Sequence, residues 1–174
     1  MLKRLKFMQT LRDIITSRKS VFPPQYSGQP IPEEVLQEII TAANYAPNHK
    51  RTQPWRIKVH KGDEKERLGE ELVRLYKKNV PAEQFSERKM NEIAQKAALS
   101  DVVLTINIHF SGKVPEWEEI AATAMAVQNM YLTCTAHGVG CYWGTPGFMF
   151  QLKDFLQLED SEQCYGLFFM GMKE

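Results

Sequence analysis

An α+β fold is predicted by three features of this 174-residue chain. Apolar residues recur at helical spacing in some segments and at strand spacing in others. The two kinds of segment follow one another without the regular alternation that builds a parallel sheet. One long segment past the middle is apolar nearly all round, the pattern of a helix covered on most sides.

Leu5, Met8, Leu11, Ile14 and Ile15 place a first helix over residues 2–17. Pro23, Pro24, Gly28 and Pro30 exclude regular structure from the segment that follows. Pro32 suits a helical first turn, and Val35, Leu36, Ile39, Ile40 and Ala43 give a second helix one apolar face. It stops near Ala46, because the residue before Pro47 is pushed out of the helical region. Residues 55–60, WRIKVH, alternate as a half-buried strand does. A turn at Gly62-Asp63 leads to charged surface helices over 64–78 and 83–98, divided by Pro81. The charged run 61–92 reads as a solvated helical face. DVVLTINIHF, residues 101–110, is an apolar β-branched run and the predicted central strand. The loop SGKVPEWEE precedes the long apolar helix of 120–136, which His137-Gly138 ends. VGCYWGTPG gives a short strand reaching a turn, 148–156 a short helix, and QCYGLFFMGM the last strand. No repeat, low-complexity tract or linker divides the chain, so residues 1–174 read as one domain.

Hydrophobic residues make up 43% of the chain and charged ones 25%, the balance of an ordinary soluble domain. A formal net charge of +1 supplies no basic field for duplex binding, so no nucleic-acid partner is expected. No apolar run approaches the ~20 residues that span a bilayer, and no membrane partner is expected. The basic N-terminus leads into a charged amphipathic segment rather than a cleavable leader. Cys134, Cys141 and Cys164 are odd in number, lack C-x-x-C spacing, and read as reduced thiols in a cytoplasmic protein. His49, His60, His109 and His137 show no i, i+4 pairing, so no metal site is expected. His109, ending an apolar strand, reads as a hydrogen-bonded core or edge residue. Hydrolase elbows, P-loops and G-x-G-x-x-G stretches are missing from the sequence.

Three segments hold more chemistry than packing requires. Arg18-Lys19-Ser20 sets two cations and a hydroxyl side by side, which can hold a phosphate monoester or complement a helix dipole. ANYAPNHKRTQPWRIKVH, residues 43–60, crowds His49, Lys50, Arg51 and Gln53 onto a corner. That corner needs only Pro47 to stop a helix and Pro54 to start a strand; its donors can meet an anionic ring edge or stay solvated. GCYWGTPG, residues 140–147, sets glycines beside Trp143. Such a stretch lets a flat ligand approach the backbone, or makes a tight turn with the indole in the core.

Taken in this order, the three segments resemble the nitroreductase family of flavin enzymes. SRKS is similar to the family's N-terminal Arg-Arg-Ser. PIPEEVLQEIITAANYAPNHKRTQPWRIKV is similar to its helix–Ala-Pro–loop–Gln-Pro-Trp–strand signature. KVPEWEEIAATAMAVQNMYLTCTAHGVGCYWGTPG is similar to its central helix and following turn. The APNHKRTQPW form and the VPEW loop point to the compact branch, whose members carry the name NAD(P)H nitroreductase. The resemblance runs from Thr16 to Met172.

The resemblance implies a nitroreductase-like α+β fold, with a central, mostly antiparallel sheet flanked by helices, in an intertwined homodimer that holds FMN at its interface. It implies an FMN-dependent oxidoreductase moving hydride from NAD(P)H through the flavin to nitro- or quinone-like small-molecule acceptors by a ping-pong mechanism. FMN carries that chemistry, and no catalytic side chain is assigned. Carried over by position, Arg18, Lys19 and Ser20 hold the FMN phosphate or ribityl chain. Tyr45 and His49, with Gln53 beside them, contact the flavin. Trp143, Gly144 and Thr145 close over the same flavin from the other subunit, and 133–138 meet the nicotinamide nucleotide. Lys19 stands in place of the usual second Arg and loses its planar fork. Tyr45 replaces a basic residue, and Arg51 stands where many longer members carry Asn. The chain ends at Glu174, where longer members continue with basic phosphate contacts, leaving Lys173 to substitute. His49, Lys50 or Arg51 is expected to stabilise the negative charge of the reduced flavin. Two further readings are a flavin-binding module, sensor or carrier, without efficient turnover, and a scaffold that has lost FMN. So apolar a helix, Ile120 to Ala136, in so short a chain also suggests burial against a second copy.

Overall fold

The computed structural model describes residues 10–174. Four strands, β1 (Trp55–His60), β2 (Val102–His109), β3 (Val139–Gly144) and β4 (Glu162–Met172), form one sheet in the order β1-β2-β4-β3. All three neighbouring pairs are antiparallel. β1 and β2 pair from Trp55 with Ile108 to His60 with Val103. β3 and β4 pair from Val139 with Met172 to Gly144 with Leu167. The β2–β4 ladder shifts register between Thr105 and Asn107, opposite Gly166.

Side chains alternate across a strand, so β2 and β4 feed two cores. On one face lie α2 (Glu33–Ala42) and α5 (Glu116–Ala136), whose Leu36, Ile39, Ala126 and Met130 cluster with Leu104, Ile106, Phe168 and Met170. On the other, α3 (Gly62–Asn79) and α6 (Lys153–Leu156) bring Leu68, Leu72, Leu75 and Leu156 against Val103, Leu167 and Phe169. α4 (Glu87–Leu99) lies against α3 at Gly69, where a Cβ would stand 2.9 Å from that of Ala97. α1 (Leu11–Ser17) starts on a capping box, with the Thr10 hydroxyl taking the Asp13 N–H and the Asp13 carboxylate taking the Thr10 N–H. Residues 2–9 of the predicted first helix lie outside the described residues.

Several boundaries differ from those read off apolar periodicity. α5 begins at Glu116 rather than at 120, because Pro115 starts it and three acidic residues suit the positive end of its dipole. A charged first turn is invisible to apolar spacing. α4 begins at Glu87 rather than at 83, where the Ser86 hydroxyl caps it by accepting the Lys89 N–H; a 3-10 turn, Ala82–Gln84, precedes it. The predicted 148–156 helix is a 3-10 turn, Met149–Leu152, running into α6.

α5 is also less covered than its composition suggested. Ala122, Ala126, Met130 and Cys134 are buried, but Trp117, Ala121, Ala124 and Met125 form an exposed stripe at helical spacing. His109 is hydrogen-bonded at the strand end, its Nδ1 3.1 Å from Ser161 Oγ. All three cysteines are free and buried. Among the described residues no helix is long and apolar enough to cross a membrane, and no His, Cys, Asp or Glu cluster could hold a metal ion.

Candidate functional site

The Val21 N–H donates to the Cys141 carbonyl at 2.9 Å, which lays the chain leaving α1 alongside β3. The Arg18 guanidinium then sits 5.2 Å from the ring centroid of Tyr131, on α5. The Tyr131 hydroxyl in turn accepts the Trp143 backbone N–H at 2.6 Å. One tyrosine thus fastens the SRKS segment to the strand that leads into the glycine turn. Tyr131 was not singled out in the sequence, where it is one more nonpolar position of a long helix. Burial pushes its hydroxyl pKa up, against the pull of nearby Ser20 and the Trp143 N–H.

On the opposite face of β3, Gly144, Thr145, Pro146 and Gly147 form one lip of a cleft of about 630 Å³. Its floor is Tyr142 and Phe169, stacked with centroids 5.0 Å apart and planes 8° from parallel. α3 and α4 supply the other lip, including Lys89 and Lys96, each ammonium within 6 Å of an aromatic ring centroid, Tyr76 and Tyr142 respectively. Among the described residues no Asp or Glu lines this cleft. The run expected to be only a solvated face therefore contributes a cation to a concave site. The single signal for it was spacing: Lys89 and Lys96 are two helical turns apart on one face. A Cβ on Gly147 would meet nothing within 4 Å, so the backbone there is open to a flat partner. Trp143 Nε1 is buried with no acceptor, pressed where a Cβ on Gly166 would come within 2.5 Å of it.

The crowded corner is strained. Lys50, Arg51 and Gln53 take φ values of 50°, 55° and 42°, and Gln157 is the one other non-glycine residue with positive φ among those described. Such conformations persist where surroundings over-determine them. Here the Asn48 side chain accepts the Gln53 N–H at 2.9 Å, Lys50 Nζ donates to the Lys113 carbonyl at 3.0 Å, and Trp55 Nε1 donates to Asn44 Oδ1 at 3.1 Å. His49 Nδ1 lies 2.6 Å from Glu118 Oε2 in the first turn of α5. Tyr45, His49, Lys50, Arg51 and Gln53 all remain exposed, Tyr45 to 80%.

Glu118 and Tyr131 are roughly 20 Å apart along α5. The structure therefore brings Arg18, Ser20 and Trp143 together, with exposed Lys19 beside them and Gly144 and Thr145 on the adjoining cleft. It leaves Tyr45, His49 and Gln53 with the opposite end of the same helix. The 133–138 segment is engaged within the chain: the Thr133 and Thr135 hydroxyls donate to the Asn129 and Tyr131 carbonyls, and His137 Nε2 stands 2.7 Å from Glu38 Oε2.

A family model described as "Nitroreductase family" matches residues 15–172. The chain belongs to the nitroreductase family. Its nitroreductase relatives include YfhC of Bacillus subtilis (strain 168), named as an NAD(P)H nitroreductase, 28% identical over 156 residues that cover 88% of this chain and 79% of YfhC. A solved nitroreductase-like family protein from Bacillus cereus superposes with a TM-score of 0.80 at 20% identity, over 95% of this chain and 87% of that one. NfnB of Mycobacterium smegmatis, an FMN-dependent nitroreductase solved in complex with NADPH, superposes at 0.75 with 16% identity, over 94% and 87%. The antiparallel sheet flanked by helices is thus a nitroreductase-like fold.

Proposed function

We propose that this chain is an FMN-dependent oxidoreductase that uses NAD(P)H to reduce flat nitro- or quinone-like electrophiles, and that it works as a homodimer. Family membership supports this, as do a relative named for NAD(P)H and a structural neighbour that is FMN-dependent and binds NADPH. The observation that carries it is the Arg18–Tyr131–Trp143 junction, which gathers a phosphate-suited basic segment and a glycine turn beside an aromatic, carboxylate-free cleft.

Bound FMN would supply the redox chemistry, hydride transfer between NAD(P)H and an acceptor that share one place in a ping-pong cycle. Arg18, Lys19 and Ser20 would hold its phosphate or ribityl end with charge-assisted donors. Trp143, Gly144 and Thr145 would border the ring, where the open backbone at Gly147 admits a flat group. Lys89 and Lys96 place positive charge in the cleft, which favours an anionic ring edge. Tyr45, His49 and Gln53 would reach the flavin from the partner subunit, a placement that their separation from Tyr131 within one chain supports. The exposed Trp117–Met125 stripe of α5 supplies an apolar surface for that second copy. No side chain is assigned as proton donor, since water in an open cleft can protonate the product.

The test is the visible spectrum of freshly purified protein, followed by anaerobic addition of NADH or NADPH. Flavin absorption that bleaches supports the enzyme. Flavin that binds and does not bleach makes the chain a carrier or sensor. Colourless protein that cannot be reconstituted with FMN overturns the reading.

A further inference from the structure

We propose that Tyr131 is itself a cofactor-binding residue, its hydroxyl donating a hydrogen bond to the phosphate end of FMN beside Arg18. The inference rests on the FMN reading above and adds a residue that no motif singled out. A tyrosine hydroxyl has one hydrogen to give and lone pairs to receive. In Tyr131 the oxygen already receives the Trp143 N–H at 2.6 Å, which fixes its position. Its hydrogen is left with the Ser20 side chain, a hydroxyl that can pass the hydrogen bond on to an anion or give way to one.

The ring cannot swing away. It packs edge-on to Phe168 with centroids 4.9 Å apart and planes at 81°, and Arg18 covers it from another side. Arg18 is half-buried and its guanidinium carries five N–H groups, with no carboxylate paired to it among the described residues. The Ser20 side chain is close to the same hydroxyl. The Arg18, Ser20 and Tyr131 side chains thus gather in one place with no carboxylate paired to Arg18 among the described residues, and a phosphate monoester is the ligand chemistry that takes several charge-assisted donors at once. A tyrosine hydroxyl is protonated at neutral pH and so can donate, and burial pushes the Tyr131 pKa further up.

The experiment measures dissociation constants for FMN and for riboflavin, which lacks the phosphate, by quenching of flavin fluorescence on titration into flavin-free full-length protein. Wild type, Tyr131→Phe and Arg18→Met are compared. Phenylalanine keeps the ring under Arg18 and against Phe168 and removes only the hydroxyl. We expect Tyr131→Phe to weaken FMN about tenfold while riboflavin changes by less than about twofold. Equal losses for both ligands would show that the hydroxyl acts only through the Trp143 backbone, and would overturn the inference. Undiminished FMN affinity in Tyr131→Phe, with an FMN-specific loss in Arg18→Met, would also overturn it while leaving the phosphate at Arg18. Wild-type protein that binds neither ligand would remove the FMN reading itself.

Discussion

His49 and Glu118 meet at 2.6 Å, Nδ1 to Oε2, and so fasten the strained corner to the first turn of the longest helix. The His49 side chain is 58% exposed, so the pair contributes at most about 1 kcal/mol to stability. Glu118→Ala is expected to lower Tm by about 3 °C or less. Its larger effect falls on the corner's aim: the variant retains less FMN through dialysis than wild type. Full retention would separate this corner from the cofactor.

Gly166 is the position least able to accept a side chain. Its φ is 132°, and a Cβ would stand 2.5 Å from Trp143 Nε1 and 2.6 Å from the Gly144 carbonyl oxygen. Gly166→Ala combines backbone strain with overpacking and should cost on the order of 3 kcal/mol. Thermal denaturation reads that cost. A melt matching wild type would show that β3 yields freely, against the close packing described.

His60 gives the chain a pH dependence. Burial is the main influence and holds its pKa below the ordinary value of 6.5, with Lys58 acting the same way and Glu64 opposing. Between the folded and unfolded pKa values the unfolded chain binds more protons, so stability rises with pH there. The contribution is complete above pH 6.5 and declines as pH falls toward the folded value. Tm should be lower at about pH 5.5 than at about pH 7.5, and His60→Gln should flatten that difference. An equal drop in the variant would assign it to other groups.

Trp117, 67% exposed, and Met125, 41% exposed, lie two turns apart on the open stripe of α5. A charge placed there opposes burial against a second copy. Light scattering is expected to give a dimer for wild type and a monomer for Trp117→Glu. A wild-type monomer would remove the dimer and the shared flavin site together.

Local patterns carried much of the fold. WRIKVH, set between Pro54 and Gly62, was legible to the residue as β1. α2 was legible at its start, but it ends at Ala42 and loosens into a 3-10 turn, Ala43–Tyr45, before Pro47. Arg18 and Trp143 were legible as motif members. Tyr131 was not, because its place between them depends on how α5 is rotated about its axis. A helix nonpolar nearly all round carries no moment to fix that rotation. Lys89 and Lys96 were hidden for a related reason: charge along a helix reads as solvent until another element is known to face it. The left-handed backbone at Lys50, Arg51 and Gln53 has no local signature, since glycine or asparagine is the usual occupant of such positions.

The 21 residues of α5 make a rod about 30 Å long, with the tethered corner at its head and the tyrosine junction toward its tail. Two such rods set in opposite directions would bring the head of each to the tail of the other, building two equal sites from four halves. Neither chain would own either site. A chain spoiled only at the head and another spoiled only at the tail, each inert by itself, would then restore one whole site when they pair, because the undamaged halves meet on the same side of the couple.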